Sequence, residues 1–221
     1  MNEMVRVSFE SSMEELHNDI IRMGSMVEKQ LYNAVKSVLN KDSIMAEEII
    51  KKDDEIDDFE KDIEDKAIKL IATQQPLAGD LRNIFTSTKI VTDLERIADH
   101  AVNISKMTIK IKNSNMEQEL VLINDIVEII LNMFRESLDS YVEGNVKKAY
   151  EVCAMDDEVD RLYGLAFTKI IDSINEKSKD IDTIYRILLA YKYLERIGDH
   201  ITNICEWTIY LVTGEKVDLN E

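Results

Sequence analysis

The segment LERIADHAVNI, residues 94–104, returns as LERIGDHITNI, residues 194–204. Eight of the eleven positions are identical, and the second copy begins 100 residues after the first. Another matching pair precedes these segments, DDEID at residues 53–57 and DDEVD at residues 156–160. An internal repeat of this size indicates two structural units built on one plan.

Both units are predicted to be helical. The 221 residues include only six Gly and one Pro, too few for the many turns of a β-rich protein. A first helix is indicated by apolar residues at 3–4 spacing, namely Leu16, Ile20, Met23, Val27, Leu31, Ala34 and Val38. Asp42 or Ser43 is the expected N-cap of the next helix. We expect that helix to be continuous through Ile49, Ile56, Phe59, Ile63, Ala67 and Leu70, and to end at Gln74-Gln75-Pro76.

A third helix is expected from about residue 77 to residue 110, followed by a polar linker at residues 112–115. The second unit repeats the plan, with helices expected at about 118–142, 146–175 and 180–212, and a loose tail at 214–221. The predicted fold class is all-α, with two tandem three-helix bundles related by internal pseudo-symmetry. The predicted domains are residues 1–112 and 113–221.

The formal net charge of −17 disfavours binding to nucleic acids and to anionic lipid, and favours cations or a basic partner surface. The first nine residues do not resemble a signal peptide, and no apolar run is long enough to cross a bilayer. Cys153 and Cys205 lie inside helical patterns, as buried free thiols of a reducing compartment would. The sequence therefore predicts a cytoplasmic protein without membrane insertion.

Acidic residues form a stripe on the third helix of each unit. Residues four apart share a helix face, so Glu95, Asp99 and Asn103 are aligned. Glu195, Asp199 and Asn203 repeat the arrangement. The apolar residues of the same segments fall on roughly the opposite side, which leaves the carboxylates facing outward.

The second helix of each unit carries a matching acid pair. If the second and third helices form an antiparallel hairpin, positions at equal distance from the turn lie at the same height. Positions 57 and 95, like 53 and 99, centre on residue 76. Positions 160 and 195, like 156 and 199, centre between residues 177 and 178. Four carboxylates should therefore converge in each unit.

Such a cluster repels itself and suits hard cations such as Mg²⁺, Mn²⁺, Ca²⁺ or iron. The alternative is a solvated acidic face paired with Arg96 and Arg196. Asn103 and Asn203 are expected either to donate their amides to the carboxylates or to complete the shell of a metal. The two histidines of the repeat, His100 and His200, are interpreted as surface or hydrogen-bonded structural groups. The alternatives are a role at an interface or hydrogen bonding to the ligands of a metal.

The repeated segments, with QQPLAGDLR at residues 74–82, resemble the PhoU family of accessory regulators of the bacterial phosphate-specific transport system. The resemblance implies two three-helix bundles that bind multinuclear iron or zinc clusters through paired acidic motifs. Carried onto this sequence, the metal ligands are Asp53, Asp57, Glu95, Asp99, Asp156, Asp160, Glu195 and Asp199.

The resemblance also implies a regulator rather than an enzyme. Its role is negative control of phosphate uptake and of phosphate-starvation signalling, through the transporter's ATPase subunit and a sensor histidine kinase. A homodimer or higher homo-oligomer is expected. The two halves differ where Asp93 corresponds to Tyr193 and Ala98 to Gly198, so we expect them to differ in metal number or affinity.

The residues are also compatible with two other functions. A carboxylate-bridged di-metal enzyme of the helical-bundle class typically carries two Glu-x-x-His motifs, and this chain has one, Glu14 to His17, without a counterpart in the second half. A metal-free acidic scaffold is the other alternative. The sequence lacks nucleotide-binding, serine-hydrolase and dithiol motifs, which favours regulation over catalysis.

Overall fold

The computed structural model describes residues 3–111, 119–174 and 180–220, and within these ranges it contains helices and no strands. The helices are α1 (Glu3–Asn40), α2 (Ser43–Lys51), α3 (Asp53–Gln74), α4 (Ala78–Ile111), α5 (Ile123–Glu143), α6 (Val146–Ile174) and α7 (Ile181–Thr213). The predicted linker at 112–115 lies outside the described residues, as do residues 176–179 between the last two predicted helices.

The structure confirms the predicted apolar face of the first helix, the predicted N-cap of the next helix and the predicted helix end before Pro76. All seven apolar residues predicted for the first helix are buried. Asp42 is the N-cap of α2, and its side chain accepts the backbone N–H groups of Ile44 and Met45, each at 3.0 Å. Helix α3 ends at Gln74, and Gln75 adopts a left-handed conformation with φ of 47° before Pro76.

The prediction of one continuous second helix in the first half is wrong. Lys52, with φ of −97° and ψ of 3°, separates α2 from α3. Three acidic residues, Asp53, Asp54 and Glu55, follow in the first turn of α3. Negative charge stabilises a helix N-terminus through the helix dipole, so a new helix begins here although the apolar spacing continues across the break.

The second half also departs from the prediction at two places. Helix α5 begins at Ile123 rather than near residue 118, because residues 119–122 form a turn whose Glu119 carbonyl accepts the Tyr191 hydroxyl at 2.8 Å. The prediction of a loose tail at the C-terminus is wrong. Residues 214–220, which we name the strap, run back along α7, and Val217 and Leu219 of this segment pack against the core.

The two halves pack side by side, with α4 against α7 as the most extensive helix pair. One continuous apolar core runs through both bundles. The hydroxyl groups of Ser87 in α4 and Tyr141 in α5 lie 3.3 Å apart across the two halves. The all-α, two-bundle fold is thus confirmed, with the first bundle's middle helix divided, while the boundary at residues 112/113 stays a prediction. Among the described helices, none has the length and hydropathy required to span a membrane.

Candidate functional site

The first acidic cluster lies between the beginning of α3 and the middle of α4. Burial, followed by repulsion from Asp57 and Asp99, raises the pKa of Asp53. Burial, followed by repulsion from Asp99, raises the pKa of Glu95 to about 7, with Arg96 acting in the opposite direction. The four carboxylates that the hairpin spacing predicted to converge therefore lie close together in the structure.

Glu60 is a fifth acid of this cluster, which the sequence analysis missed. Its charge contributes to the raised pKa of Glu95, and burial in turn raises the pKa of Glu60 itself. Glu60 follows Asp57 by three residues and so lies on the same face of α3. That spacing was the available signal, but the second half has Tyr163 at the corresponding place, so the repeat did not reveal it.

The second acidic cluster joins Asp156 and Asp160 of α6 to Glu195 and Asp199 of α7. Burial raises the pKa of Asp156 to about 7, with further contributions from Asp160, Asp199 and Glu195. Burial and then Asp199 raise the pKa of Asp160. All four predicted residues of the second half therefore lie within electrostatic reach of one another.

Several carboxylate oxygens of the two clusters are buried without a hydrogen-bond donor. Within the described ranges, no hydrogen-bond donor reaches Asp53 Oδ1 or Asp156 Oδ1, and the contact of Glu195 Oε2 with Arg196 Nε, at 3.9 Å, is too long for a hydrogen bond. A buried charged oxygen without a partner is unfavourable. A cation would satisfy these atoms, and their all-oxygen character suits hard ions. The donor type of the clusters therefore fits a metal.

Other carboxylate oxygens are occupied by basic side chains. Arg96 Nη1 donates to Asp99 Oδ2 and Arg196 Nη1 donates to Asp199 Oδ2, each at 3.1 Å. Lys192 pairs with Glu195. In the part of the chain that the structure describes, no three His, Cys, Asp or Glu side chains are arranged to hold a metal ion. The clusters thus supply metal-binding groups, whereas their present side-chain orientations form ion pairs.

The two clusters differ in the packing of their central aspartates. Asp156 Oδ1 occupies space beside Gly198 that a Cβ would fill, and Asp156 Oδ2 accepts a hydrogen bond from Thr202 at 3.4 Å. The corresponding positions of α4 hold Ala98 and Val102, which provide neither the space nor the hydroxyl. Asp156 therefore uses a space and a hydroxyl donor on α7 that the corresponding positions of α4 do not offer.

The histidines of the repeat meet at the contact between α4 and α7. His200 Nδ1 lies 2.9 Å from Asp93 Oδ1, which also accepts the Asn203 amide at 3.0 Å. The His100 ring stacks on Tyr193 at a centroid distance of 5.6 Å and lies 5.5 Å from the His200 ring. Asn203 thus donates to Asp93 rather than to the acidic cluster, while the role of Asn103 stays a prediction.

The comparison with known proteins agrees with the repeat. The PhoU domain matches this chain twice, at residues 20–108 and 123–208. The chain belongs to the PhoU family. A Clostridium acetobutylicum relative, named phosphate-specific transport system accessory protein PhoU homolog, is 51% identical over 99% of this chain and 100% of its own length. A Pseudomonas putida relative with the same name is 33% identical over 95% of this chain and 82% of its own length.

Two PhoU crystal structures share the fold. The Pseudomonas aeruginosa PhoU matches with a TM-score of 0.89 and 33% identity, covering 94% of this chain and 100% of the other. The phosphate transport system regulatory protein PhoU from Streptococcus pneumoniae matches with a TM-score of 0.88 and 30% identity, covering 95% and 99%. Each PhoU domain match contains one acidic cluster, whereas the strap lies beyond both matched segments.

Proposed function

We propose that this protein is a non-enzymatic regulator of a phosphate-specific transport system. The observation that carries the proposal is the double PhoU domain match, supported by relatives named as accessory proteins of that system. In this role the protein acts in the cytoplasm. It limits phosphate uptake and the starvation response by contacting the transporter's ATPase subunit and a sensor histidine kinase. It functions as a homodimer or higher homo-oligomer.

An exposed apolar surface supports a role in protein binding. Large apolar residues are exposed at three pairs of repeat-equivalent positions near the hairpin ends: Ile68 and Ile171, Leu81 and Ile181, and Phe85 and Tyr185. In the first half the α3–α4 members line a groove of 660 Å³ that also includes Arg82 and Lys216. Exposed apolar patches bordered by charge are typical of protein interaction sites.

We further propose that both acidic clusters bind cations, as iron or zinc clusters. The buried oxygens without donors and the repulsion among the carboxylates support this proposal. The donors are carboxylates, which favours iron over zinc, since structural zinc sites are dominated by Cys and His. A bound cation supplies positive charge that holds α3 to α4 and α6 to α7.

The acidic clusters and the apolar patches share the same hairpins. Asp57 and Ile68 lie eleven residues apart on α3, which corresponds to about 16 Å along a helix. Without a cation the carboxylates repel one another across the hairpin, and this repulsion opposes close packing of its two helices. Cation binding therefore stabilises the packing of the helical hairpins that present the apolar patches to a partner.

The direct test is a binding titration between the full-length protein and the purified ATPase subunit of its phosphate transporter. Replacing Leu81 and Ile181 together by Asp should weaken binding at least tenfold, and binding is measured well below the thermal unfolding midpoint of each protein. Ile44→Asp, at an exposed apolar position of α2, is the matched control. Equal binding by all three proteins, or no binding by the wild type, would contradict the proposed docking.

A metal-free acidic scaffold is the second candidate. The repeated Arg–Asp ion pairs and the absence of a preformed three-ligand group among the described side chains favour it. The di-metal enzyme has less support, because the His17 ring of its single Glu-x-x-His motif packs on Tyr141 at a centroid distance of 4.9 Å. The metal content of the purified protein separates the scaffold from the metal-binding regulator.

A further inference from the structure

We propose that the strap, residues 214–220, completes the second acidic cluster as a cation site and makes it the tighter of the two clusters. This inference rests on the cation binding proposed above. It assigns two additional oxygen ligands, Asp218 and Asn220, to the second cluster, and it gives the second half a higher cation affinity than the first half.

The strap begins with a turn that only glycine readily adopts. Gly214 has φ of +79°, and its N–H donates to the Tyr210 carbonyl at 2.9 Å, which ends α7. A Cβ at this position would lie 2.8 Å from Arg82 Nη1. The chain therefore reverses direction at Gly214 in close contact with α4.

Three hydrogen bonds then hold the strap beside the second cluster. The Leu219 N–H donates to Glu206 Oε1 at 2.6 Å. The Asn220 side-chain amide donates to Asn203 Oδ1 at 2.8 Å and to the Asp199 carbonyl at 3.3 Å. Since Asp199 is itself a cluster residue, the strap is attached directly to the proposed site.

The residue that anchors the strap differs between the halves. Glu206 corresponds to Lys106 in the first repeat. A lysine ammonium cannot accept a backbone N–H, so this position of α4 offers no equivalent anchor. Lys106 instead acts on the first cluster, where its positive charge lowers the pKa of Asp53 against the larger effects of burial, Asp57 and Asp99. Each cluster thus has one lysine nearby, Lys106 at the first and Lys192 at the second, and only the second has an acceptor that anchors the strap.

The strap adds oxygen atoms to the second cluster. Asp218 and Asn220 line a cavity of 280 Å³ together with Asp156, Asp160 and Asp199. Asn220 Oδ1 and Asp156 Oδ1 are buried, and no donor among the described residues reaches either atom. A carboxamide oxygen and several carboxylates form the ligand set of a hard divalent cation. These added oxygen atoms, which the first cluster does not have, distinguish the second cluster as the tighter cation site.

The strap also touches the apolar groove of the first half. Lys216 lines that groove and lies 5.9 Å from the Tyr210 ring centroid. Cation binding at Asp218 and Asn220 therefore fixes a segment whose other end borders the proposed docking surface. In this way the second cluster is connected to the partner-binding face of the opposite half.

Titration of the full chain with Mn²⁺, followed by calorimetry, tests the inference. Wild type should show a tighter and a weaker class of sites. Asp218→Asn, on the exposed part of the strap, should weaken the tighter class about tenfold and leave the weaker class unchanged. Glu206→Lys, which copies the first repeat, should do the same. Asp53→Asn is the matched control and should affect only the weaker class.

Hydrogen exchange at the Leu219 amide provides a second readout. Mn²⁺ should slow this exchange in wild type and have little effect in Glu206→Lys. Mn²⁺ binding that is unchanged by Asp218→Asn and Glu206→Lys, with no added protection of Leu219, would overturn the role of the strap and leave cation binding by the clusters intact. Complete absence of Mn²⁺ binding in wild type would overturn both the strap inference and the proposed metal sites.

Discussion

Asp156 of α6 packs directly against Gly198 of α7, with its Oδ1 atom in space that a Cβ at position 198 would need. The corresponding residue of the first repeat is Ala98. The space that Asp156 Oδ1 occupies in the second half is filled by the alanine methyl group at the corresponding place of the first half. This contact is a local reason to expect the two proposed cation sites to differ.

Gly198→Ala should weaken cation binding at the second cluster without lowering the stability of the protein. Alanine is the better helix former by about 1 kcal/mol, and the displaced carboxylate is the end of a flexible side chain, so the free energy of unfolding should not fall. The shift of Asp156 should weaken Mn²⁺ binding at the second cluster several-fold, measured by calorimetry. The matched control, Ala98→Gly, should lower stability by about 1 kcal/mol and leave the second cluster unaffected. Unaltered Mn²⁺ affinity in Gly198→Ala would show that the close approach of Asp156 has no part in binding.

The repeat and the two acidic clusters were accessible from the sequence because they depend on local regularities. Helical periodicity places residues four apart on one face, and an antiparallel hairpin fixes which heights coincide. These two rules were sufficient to predict that Asp53 and Asp57 lie close to Glu95 and Asp99. The same rules predicted the buried faces of α1 and α4.

Features that depend on tertiary contacts were not accessible in the same way. The break at Lys52 contains neither Gly nor Pro, and Ile49 and Ile56 keep a spacing compatible with one helix. The strap is polar and short, and its position depends on a hydrogen bond from Leu219 to Glu206. Pairing of Asp93 with His200 likewise required knowledge of which helices meet across the two halves.

The stability of the cation-free protein should depend on Glu95 and Asp156. The pKa of each is raised to about 7, so between pH 4 and pH 7 the folded state holds protons that the unfolded state has released. These two groups therefore destabilise the fold progressively as the pH rises through that window. The variant with Glu95→Gln and Asp156→Asn should be about 1–3 kcal/mol more stable than wild type at pH 7, and equally stable near pH 4.

Urea unfolding in the presence of a chelator measures this difference. His100 has the opposite effect, because burial lowers its pKa to about 4 and its contribution to stability increases as the pH rises toward 6.5. Comparing the variant with wild type at each pH cancels that contribution. A constant difference from pH 4 to pH 7 would contradict the raised pKa values of the two acids.

The contact of α4 with α7 should be sensitive to Asp93. Asp93 is 8% exposed, and its Oδ1 atom both contacts His200 Nδ1 and accepts the Asn203 side-chain amide. Asp93→Asn replaces a charged acceptor by a weaker one and should destabilise the protein by about 1–3 kcal/mol in urea unfolding. Asp58→Asn is the control, since its ion pair with Lys61 is exposed and contributes little. Equal losses in the two variants would argue against a specific role for the Asp93 network.

Gly214→Ala should release the strap without unfolding the bundles. The alanine is disfavoured at φ of +79° and its Cβ would press on Arg82. We expect a loss of hydrogen-exchange protection at Leu219 and weaker Mn²⁺ binding at the second cluster, with the helices still protected. Gly79→Ala, where a Cβ would have no heavy atom within 4 Å, should change neither property. Retained protection of Leu219 in Gly214→Ala would contradict the need for glycine at the start of the strap.

The central claim is that the two acidic clusters are metal sites, and elemental mass spectrometry tests it most directly. The measurement uses protein purified without a chelator or an affinity tag, beside a variant in which Asp53, Asp99, Asp156 and Asp199 are changed to Asn. We predict several equivalents of bound metal, predominantly iron, per wild-type chain and their loss from a variant that remains folded. Wild-type protein without bound metal, or a variant that retains the same metal content, would contradict the claim and favour the acidic scaffold.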